Sequence, residues 1–225
     1  MYKKLKIKKY VFLVIYLIVL SIFSAGFVFA YVINKTATGN VIDWTYNKNP
    51  MGEDYVVMEN CLDCTGVATA MQKAAATWNN VGAKFKFTFG GTTTGVDAPK
   101  FDGINCIRWS STGFDDPSTL AATTWWFNST TGDILECDCV FNENYTWSTA
   151  ALTPSGQFDV ETVMLHEFGH FLTLGHSTPP AVMQPSVPSG TQRRTLTTDD
   201  INGIKAIYGA RGFSAGPAIY MLLLE

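Results

Sequence analysis

All three histidines of this 225-residue chain fall within eleven residues, His166-Glu-Phe-Gly-His170-Phe-Leu-Thr-Leu-Gly-His176. That stretch limits the fold more than any other. Four residues along an α-helix amount to about 400° of rotation and about 6 Å of rise, so His166 and His170 project from one helical face. Six further residues would carry His176 off that face. The chain must therefore leave the helix and turn, and Gly175 with the break after Leu174 is the expected turning point. A fold that brings the three imidazoles together has a site for zinc. Neutral imidazole is a good ligand for that ion, and three protein ligands leave a fourth tetrahedral position for solvent, which marks a catalytic centre rather than a closed structural one.

Glu167 follows the first of these histidines. Zinc lowers the pKa of its water towards about 7, and a neighbouring carboxylate can take the proton as the oxygen attacks a carbonyl, then return it to a leaving amine. Two histidines at this spacing also occur on ordinary helices as solvent-facing residues; the third histidine argues against that plain reading.

Apolar residues make up 47% of the chain and aromatics 13%, too much for a disordered chain and enough for a real core. Lys3, Lys4, Lys6, Lys8 and Lys9 precede an apolar run from Tyr10 to Ile33. The run has the order of an export signal and is also long enough to span a bilayer, which takes about 20 residues. Residues 1–33 are therefore read as either a cleaved signal, with cleavage after Ala30, or an uncleaved membrane anchor. In both readings the remainder lies outside the cytoplasm, secreted or tethered. Without residues 1–30 the chain keeps 11 basic and 19 acidic residues, a net charge of −8. An acidic domain repels phosphate backbones, which argues against nucleic acid as a partner. Cys61, Cys64, Cys106, Cys137 and Cys139 suit an oxidising compartment and predict structural disulfides of undetermined connectivity, with at least one thiol left over because the number is odd.

The order of elements is α+β. Residues 34–54 are polar and turn-rich and read as a linker. Tyr55 to Met58 is a short strand candidate. Val67, Met71, Ala74, Trp78 and Val81 recur at helical spacing, with Thr65 available as a cap. Lys84 to Phe89 alternates as a half-buried strand does, and Gly90-Gly91 is expected to end it. Further strands are predicted at 106–109, 120–127 and 134–141. The histidine helix begins at Asp159, which can accept backbone N–H bonds, with Glu161 in its positive first turn. A last helix opens with a capping box from Thr197 to Asp200, flanked by Leu196 and Ile201 at staple positions, and ends at Gly209.

"HEFGHFLTLGHS", then "AVMQP" and "LTTDDINGIKAIYG", resemble the matrixins, the matrix-metalloproteinase branch of the metzincin zinc endopeptidases. Upstream, "AMQKAAATWNNV", "LAATTWWF" and "CVFNENYTWST" resemble that family's first helix, edge strand and following strand and loop. The resemblance covers about residues 55–209 and implies a metzincin-like domain: a twisted mixed sheet of about five strands, an active-site helix, a Met-turn and a C-terminal helix. It implies one catalytic Zn²⁺ held by His166, His170 and His176, with Glu167 as general base and Met183 packed beneath the metal. It further implies that Leu120 and Ala121 lie on an edge strand whose backbone pairs with an extended substrate. Gln184, Pro185 and Ser186 would then form a wall of the pocket for the residue after the cleaved bond.

The chain also departs from the family pattern. Thr173 stands where glycine is usual, so either Gly175 makes the turn or Thr173 carries backbone strain. All three histidines are used, so the family's second, structural zinc is not expected in its usual form. Calcium near Asp138 to Glu143 is not favoured, because the acidic pattern there is incomplete. The expected function is an extracytoplasmic zinc-dependent endopeptidase acting on proteins or peptides. The alternative is a catalytically silent surface module that keeps the fold and binds peptides or glycans, against which the retained Glu167 argues. The expected plan is an export signal or anchor at 1–33, a linker at 34–54, the catalytic domain at 55–209 and a tail of unknown role at 210–225.

Overall fold

The computed structural model describes residues 31–44, 52–94, 99–178 and 180–211. The first 30 residues of the expected export signal or anchor and the tail beyond Arg211 lie outside them, as does the later part of the expected linker. Nine strands and three helices follow one another. They are β1 (Val32–Ile33), β2 (Gly52–Met58), α1 (Val67–Asn79), β3 (Lys86–Thr93), β4 (Cys106–Ser110), β5 (Ala121–Phe127), β6 (Ile134–Asn142), β7 (Trp147–Ser148), β8 (Phe158–Asp159), α2 (Val160–Phe171), β9 (Leu174–Gly175) and α3 (Thr198–Tyr208).

The main sheet has five strands in the order β3-β2-β4-β6-β5. The first four run parallel, and β5 lies antiparallel to β6 at the edge. This is the mixed α+β sheet expected from the sequence. Strand β4 is buried from Cys106 through Trp109, as suits a central parallel strand. The alternation of Lys84 to Phe89 does produce a strand, with Phe85 and Phe87 buried. It does not end at Gly90-Gly91, however. The ladder shifts register there, Tyr55 pairing with Phe89 and Val57 with Thr92, and the strand runs on to Thr93. The two glycines absorb a bulge: a Cβ on Gly90 would lie 3.3 Å from the Tyr55 carbonyl oxygen, and Gly91 has φ 113°.

Helix α1 buries Val67, Met71, Ala74 and Trp78 of the stripe its periodicity predicted, while Val81 lies past its end and is only partly buried. Thr65 is not its cap. The chain enters through Gly66 in the left-handed conformation, at φ 73° with no side-chain cap, which removes Thr65 from the capping position; its carbonyl accepts the Thr149 hydroxyl instead. Trp78 donates its indole N–H to the Leu165 carbonyl at 2.9 Å, fastening α1 to α2. The core between sheet and helices is aromatic. Phe168 of α2 packs on Phe87 with ring centroids 4.3 Å apart and on Tyr55 at 5.0 Å.

Helix α2 starts as predicted. Asp159 accepts the Thr162 N–H at 2.9 Å, and the Arg194 guanidinium binds the same carboxylate through Nε at 2.9 Å and Nη2 at 2.6 Å. Burial alone would raise the Asp159 carboxyl, but hydrogen bonds from Arg194 and Thr162 outweigh it and hold the group below the ordinary carboxylate range. Helix α3 opens with the Thr197–Asp200 capping box and closes at Gly209.

The last residues of the segment read as export signal or anchor, and part of the linker after it, pack on this frame. Val32 and Ile33 pair with Gly175 and Leu174, and the buried Trp44 donates its indole N–H to the Phe171 carbonyl at 2.7 Å. Cys61 and Cys64 form a disulfide, while Cys106, Cys137 and Cys139 are buried free thiols.

Candidate metal centre and substrate cleft

The turn that returns His176 is made by Thr173, not by Gly175. Helix α2 ends at Phe171, and Thr173 follows with φ 66°, the one non-glycine residue at positive φ among the described residues. A left-handed conformation costs a side-chain-bearing residue about 1–2 kcal/mol. Three fixed hydrogen bonds offset it: Thr173 N–H to the His170 carbonyl at 2.7 Å, Thr173 Oγ1 to the Ile42 carbonyl at 2.6 Å, and Asn34 Nδ2 to the Thr173 carbonyl at 2.9 Å. Gly175 has another reason to be small. It sits in β9 against β1, where a Cβ would come within 2.9 Å of Val32 Cγ1.

The three imidazoles meet. Their ring centroids lie 4.7 Å apart for His166–His170, 5.3 Å for His166–His176 and 5.0 Å for His170–His176. One ligand nitrogen from each falls within 4.8 Å of the others. His166 Nδ1 faces the Val182 carbonyl at 2.9 Å, and His170 Nδ1 faces the Leu174 carbonyl at 2.8 Å. A carbonyl only accepts, so in both rings Nδ1 carries the hydrogen and Nε2 keeps a free lone pair. Burial, then the neighbouring His170, lowers the His166 pKa to about 3, and the same two causes lower that of His176. Neutral rings with Nε2 free are the donors zinc requires, so the triad fits a zinc site.

Glu167 lies beside this centre and is only 4% exposed. Burial raises its pKa, while His170, the Thr123 hydroxyl and His176 work in the opposite direction. Thr123 Oγ1 donates to Glu167 Oε2 at 2.6 Å. Met183 is buried beneath α2, and a Cβ on Gly169 would stand 2.1 Å from its Sδ. The turn carrying Met183 is clamped by Asp200, whose carboxylate accepts the Val182 N–H at 3.0 Å and the Met183 N–H at 3.2 Å. Asp200 therefore both caps α3 and fixes the carbonyl that orients His166. Only its capping role is visible in the sequence, and nothing in the sequence singles out Thr123. Ser177 donates its hydroxyl to Asp199 at 2.6 Å and its N–H to the Met183 carbonyl at 2.9 Å, tying the end of the loop to α3.

A cavity of about 580 Å³ opens next to the triad. Leu120 and Ala121 line one side, Gln184, Pro185 and Ser186 another, and His166, Glu167, His170 and His176 its floor. The residues expected from the sequence to serve the site thus lie around one space, apart from Met183, which does not line it and is buried against Gly169 of α2. Strand β5, at the edge of the sheet, has β6 as its only partner among the described residues. Val163, Tyr145 and Phe158 give the cavity apolar walls, and Arg193 lines it as well, donating Nη1 to the Ser186 carbonyl at 2.9 Å.

Comparison with known proteins agrees with this geometry. The chain is 42% identical over 76 residues to Metalloendoproteinase 1 of Glycine max, a match covering 32% of this chain and 25% of that protein. It is 36% identical over 98 residues to Neutrophil collagenase of Homo sapiens, covering 43% and 19%. It is 32% identical over 144 residues to Interstitial collagenase of Equus caballus, covering 64% and 28%. The chain thus spans about a quarter or less of the length of most curated relatives it matches. The matrixin family profile matches residues 46–209, and the chain belongs to that family.

Proposed function

We propose that this protein is an extracytoplasmic zinc-dependent endopeptidase, with His166, His170 and His176 as zinc ligands through Nε2 and Glu167 as general base. The observation that carries the reading is the convergence of three imidazoles, two of them locked by backbone carbonyls, beside a buried carboxylate. Bound there, zinc supplies a Lewis acid that acidifies water and polarises a carbonyl. Glu167 takes the proton of the attacking water and delivers it to the departing amine. Strand β5 offers the open edge of the sheet from Ala121 on, so an extended peptide adds to it as a further strand, while Leu120, whose carbonyl accepts the Asn142 N–H of β6, lines the cleft just before it. Gln184, Pro185 and Ser186 close the pocket that takes the side chain after the cleaved bond, and Met183 supports the triad from below. The catalytic domain comprises residues 55–209 together with the 31–44 segment, whose Ile42 and Trp44 side chains sit in its core. The export signal or anchor expected at 1–33 is confined to residues 1–30, where five lysines precede an apolar run, because Val32 and Ile33 pair with β9. Among the described residues no helix is long and apolar enough to cross a membrane.

The test is Glu167→Ala in the purified chain. Zinc should remain near one per chain while hydrolysis of a peptide library falls by about 10²–10⁴-fold. Chelation should silence the wild type, and added zinc should restore it. Undiminished turnover by the variant, or chelator-resistant turnover by the wild type, contradicts the reading.

A further inference from the structure

We propose that Thr123 is a positioning residue for the general base: its hydroxyl fixes one oxygen of Glu167, so that the other is presented to the cleft. The inference rests on the role of Glu167 given above. The 2.6 Å separation of Thr123 Oγ1 and Glu167 Oε2 is that of a charge-assisted hydrogen bond to a carboxylate. Among the described residues Thr123 is the one hydrogen-bond donor to this carboxylate. Oε1 accepts no hydrogen bond from the described residues, and Glu167 lines the cavity. A carboxylate with both oxygens loose samples many orientations of its terminal torsion, which is broad and two-fold. Anchoring Oε2 removes that freedom and leaves Oε1 as the proton acceptor.

The placement of Thr123 gives the bond a second meaning. Thr123 lies on β5, two residues beyond Ala121, on the strand proposed to receive the substrate. One strand thus sets both the register of the peptide backbone and the position of the base that acts on it. The hydroxyl is not needed to hold the strand. Trp125, two residues further on, donates its indole N–H to the His170 carbonyl at 2.8 Å and fastens β5 to α2 by itself. Across the ladder Thr123 faces the buried Cys139. A valine has the shape and strand propensity of threonine, so strand formation does not require an oxygen at this position.

The experiment compares Thr123→Val, Thr123→Ala and Thr123→Ser with wild type and Glu167→Ala in the full chain. It uses a fluorogenic peptide selected by the wild-type enzyme, and kcat, KM, bound zinc and Tm are each measured. Thr123→Val and Thr123→Ala should lose about 10–100-fold in kcat, the range for removing a partner that orients a metal-site group. Their KM should stay within about twofold, and zinc should remain near one per chain. Thr123→Ser, which keeps the hydroxyl, should retain most of the wild-type kcat. Wild-type kcat in the valine and alanine variants overturns the proposal, as does a loss that serine fails to restore or that tracks a loss of zinc or Tm. A wild type no faster than Glu167→Ala sinks the base assignment itself, which is a different outcome from an active wild type matched by an equally active Thr123→Val.

Discussion

Replacing Gly169 by alanine sets two effects of opposite sign against each other, and the structure decides between them. In an exposed helix interior the change is favourable by about 1 kcal/mol, because glycine has the greater backbone freedom to lose. At position 169 the new Cβ would stand 2.1 Å from Met183 Sδ, 3.0 Å from Met183 Cε and 3.2 Å from Trp78 Cζ2. Ordinary contact needs about 3.5–4.0 Å, so the sulfur must move by about 1.5 Å or α2 must lift. Met183 and Trp78 are each 1% exposed, so neither can swing into solvent. Overpacking of this kind costs about 1–3 kcal/mol, and the flexibility of methionine keeps it from the top of that range. The expected net is a destabilisation of about 1–2 kcal/mol, or a fall in Tm of about 2–8 °C for a chain of this size. Zinc affinity should fall as well, because Met183 adjoins Val182, whose carbonyl orients His166. The assay is urea unfolding of Gly169→Ala, Met183→Ala and the double variant. In the double variant the added methyl occupies space the lost thioether leaves, so the two costs should fall short of additivity by about 1 kcal/mol or more. A Gly169→Ala protein about 1 kcal/mol more stable than wild type, or costs that add within about 0.5 kcal/mol, would refute the reasoning.

Two further outcomes are expected. Arg194→Met should cost about 3 kcal/mol at pH 7, since it strips the guanidinium from a carboxylate that is 2% exposed. The folded Asp159 carboxyl is held below its ordinary value of about 3.9, so its contribution is full above pH about 4 and is lost as the pH falls through the folded value. The gap between wild type and variant in urea should therefore narrow at pH 3, and an unchanged gap contradicts the assignment. Thr173→Gly should change stability by less than about 1 kcal/mol, because relief of the left-handed backbone offsets the lost bond to Ile42. Thr173→Val, which keeps the strain and loses the bond, should be the least stable of the three, and thermal unfolding that ranks it above glycine would count against this account.

What could be read from the sequence was local. The spacing of His166 and His170, the Asp159 cap and the Thr197–Asp200 box each involve residues within one helical turn, where geometry follows directly from chain position. The stripe of α1 and the alternation around Phe87 were legible for the same reason. What the sequence left open or misplaced concerns single dihedrals that tertiary contacts decide: of the two alternatives for the turn it is the strained Thr173 that holds, Gly66 rather than Thr65 opens α1, and the strand runs through Gly90-Gly91. The contacts that complete the site are distant in the chain. Thr123 reaches Glu167 across 44 positions, Asp200 reaches Val182 across 18, and Trp44 reaches Phe171 across 127. A threonine in mid-strand or a tryptophan in a polar segment carries no local sign of such a partner.

The oxygens that align His166 and His170 belong to the peptide backbone at Val182 and Leu174. Every amino acid supplies such an oxygen. The side chains at those two positions can drift without disturbing the tautomers, provided the chain keeps its path. The path at 182 is guarded by the carboxylate of Asp200, and there drift has no such latitude. Alignment of the rings therefore makes no demand on the side chains of Val182 and Leu174, which answer only to the apolar core they fill, and a strict one on that of Asp200, which hydrogen-bonds to neither ring.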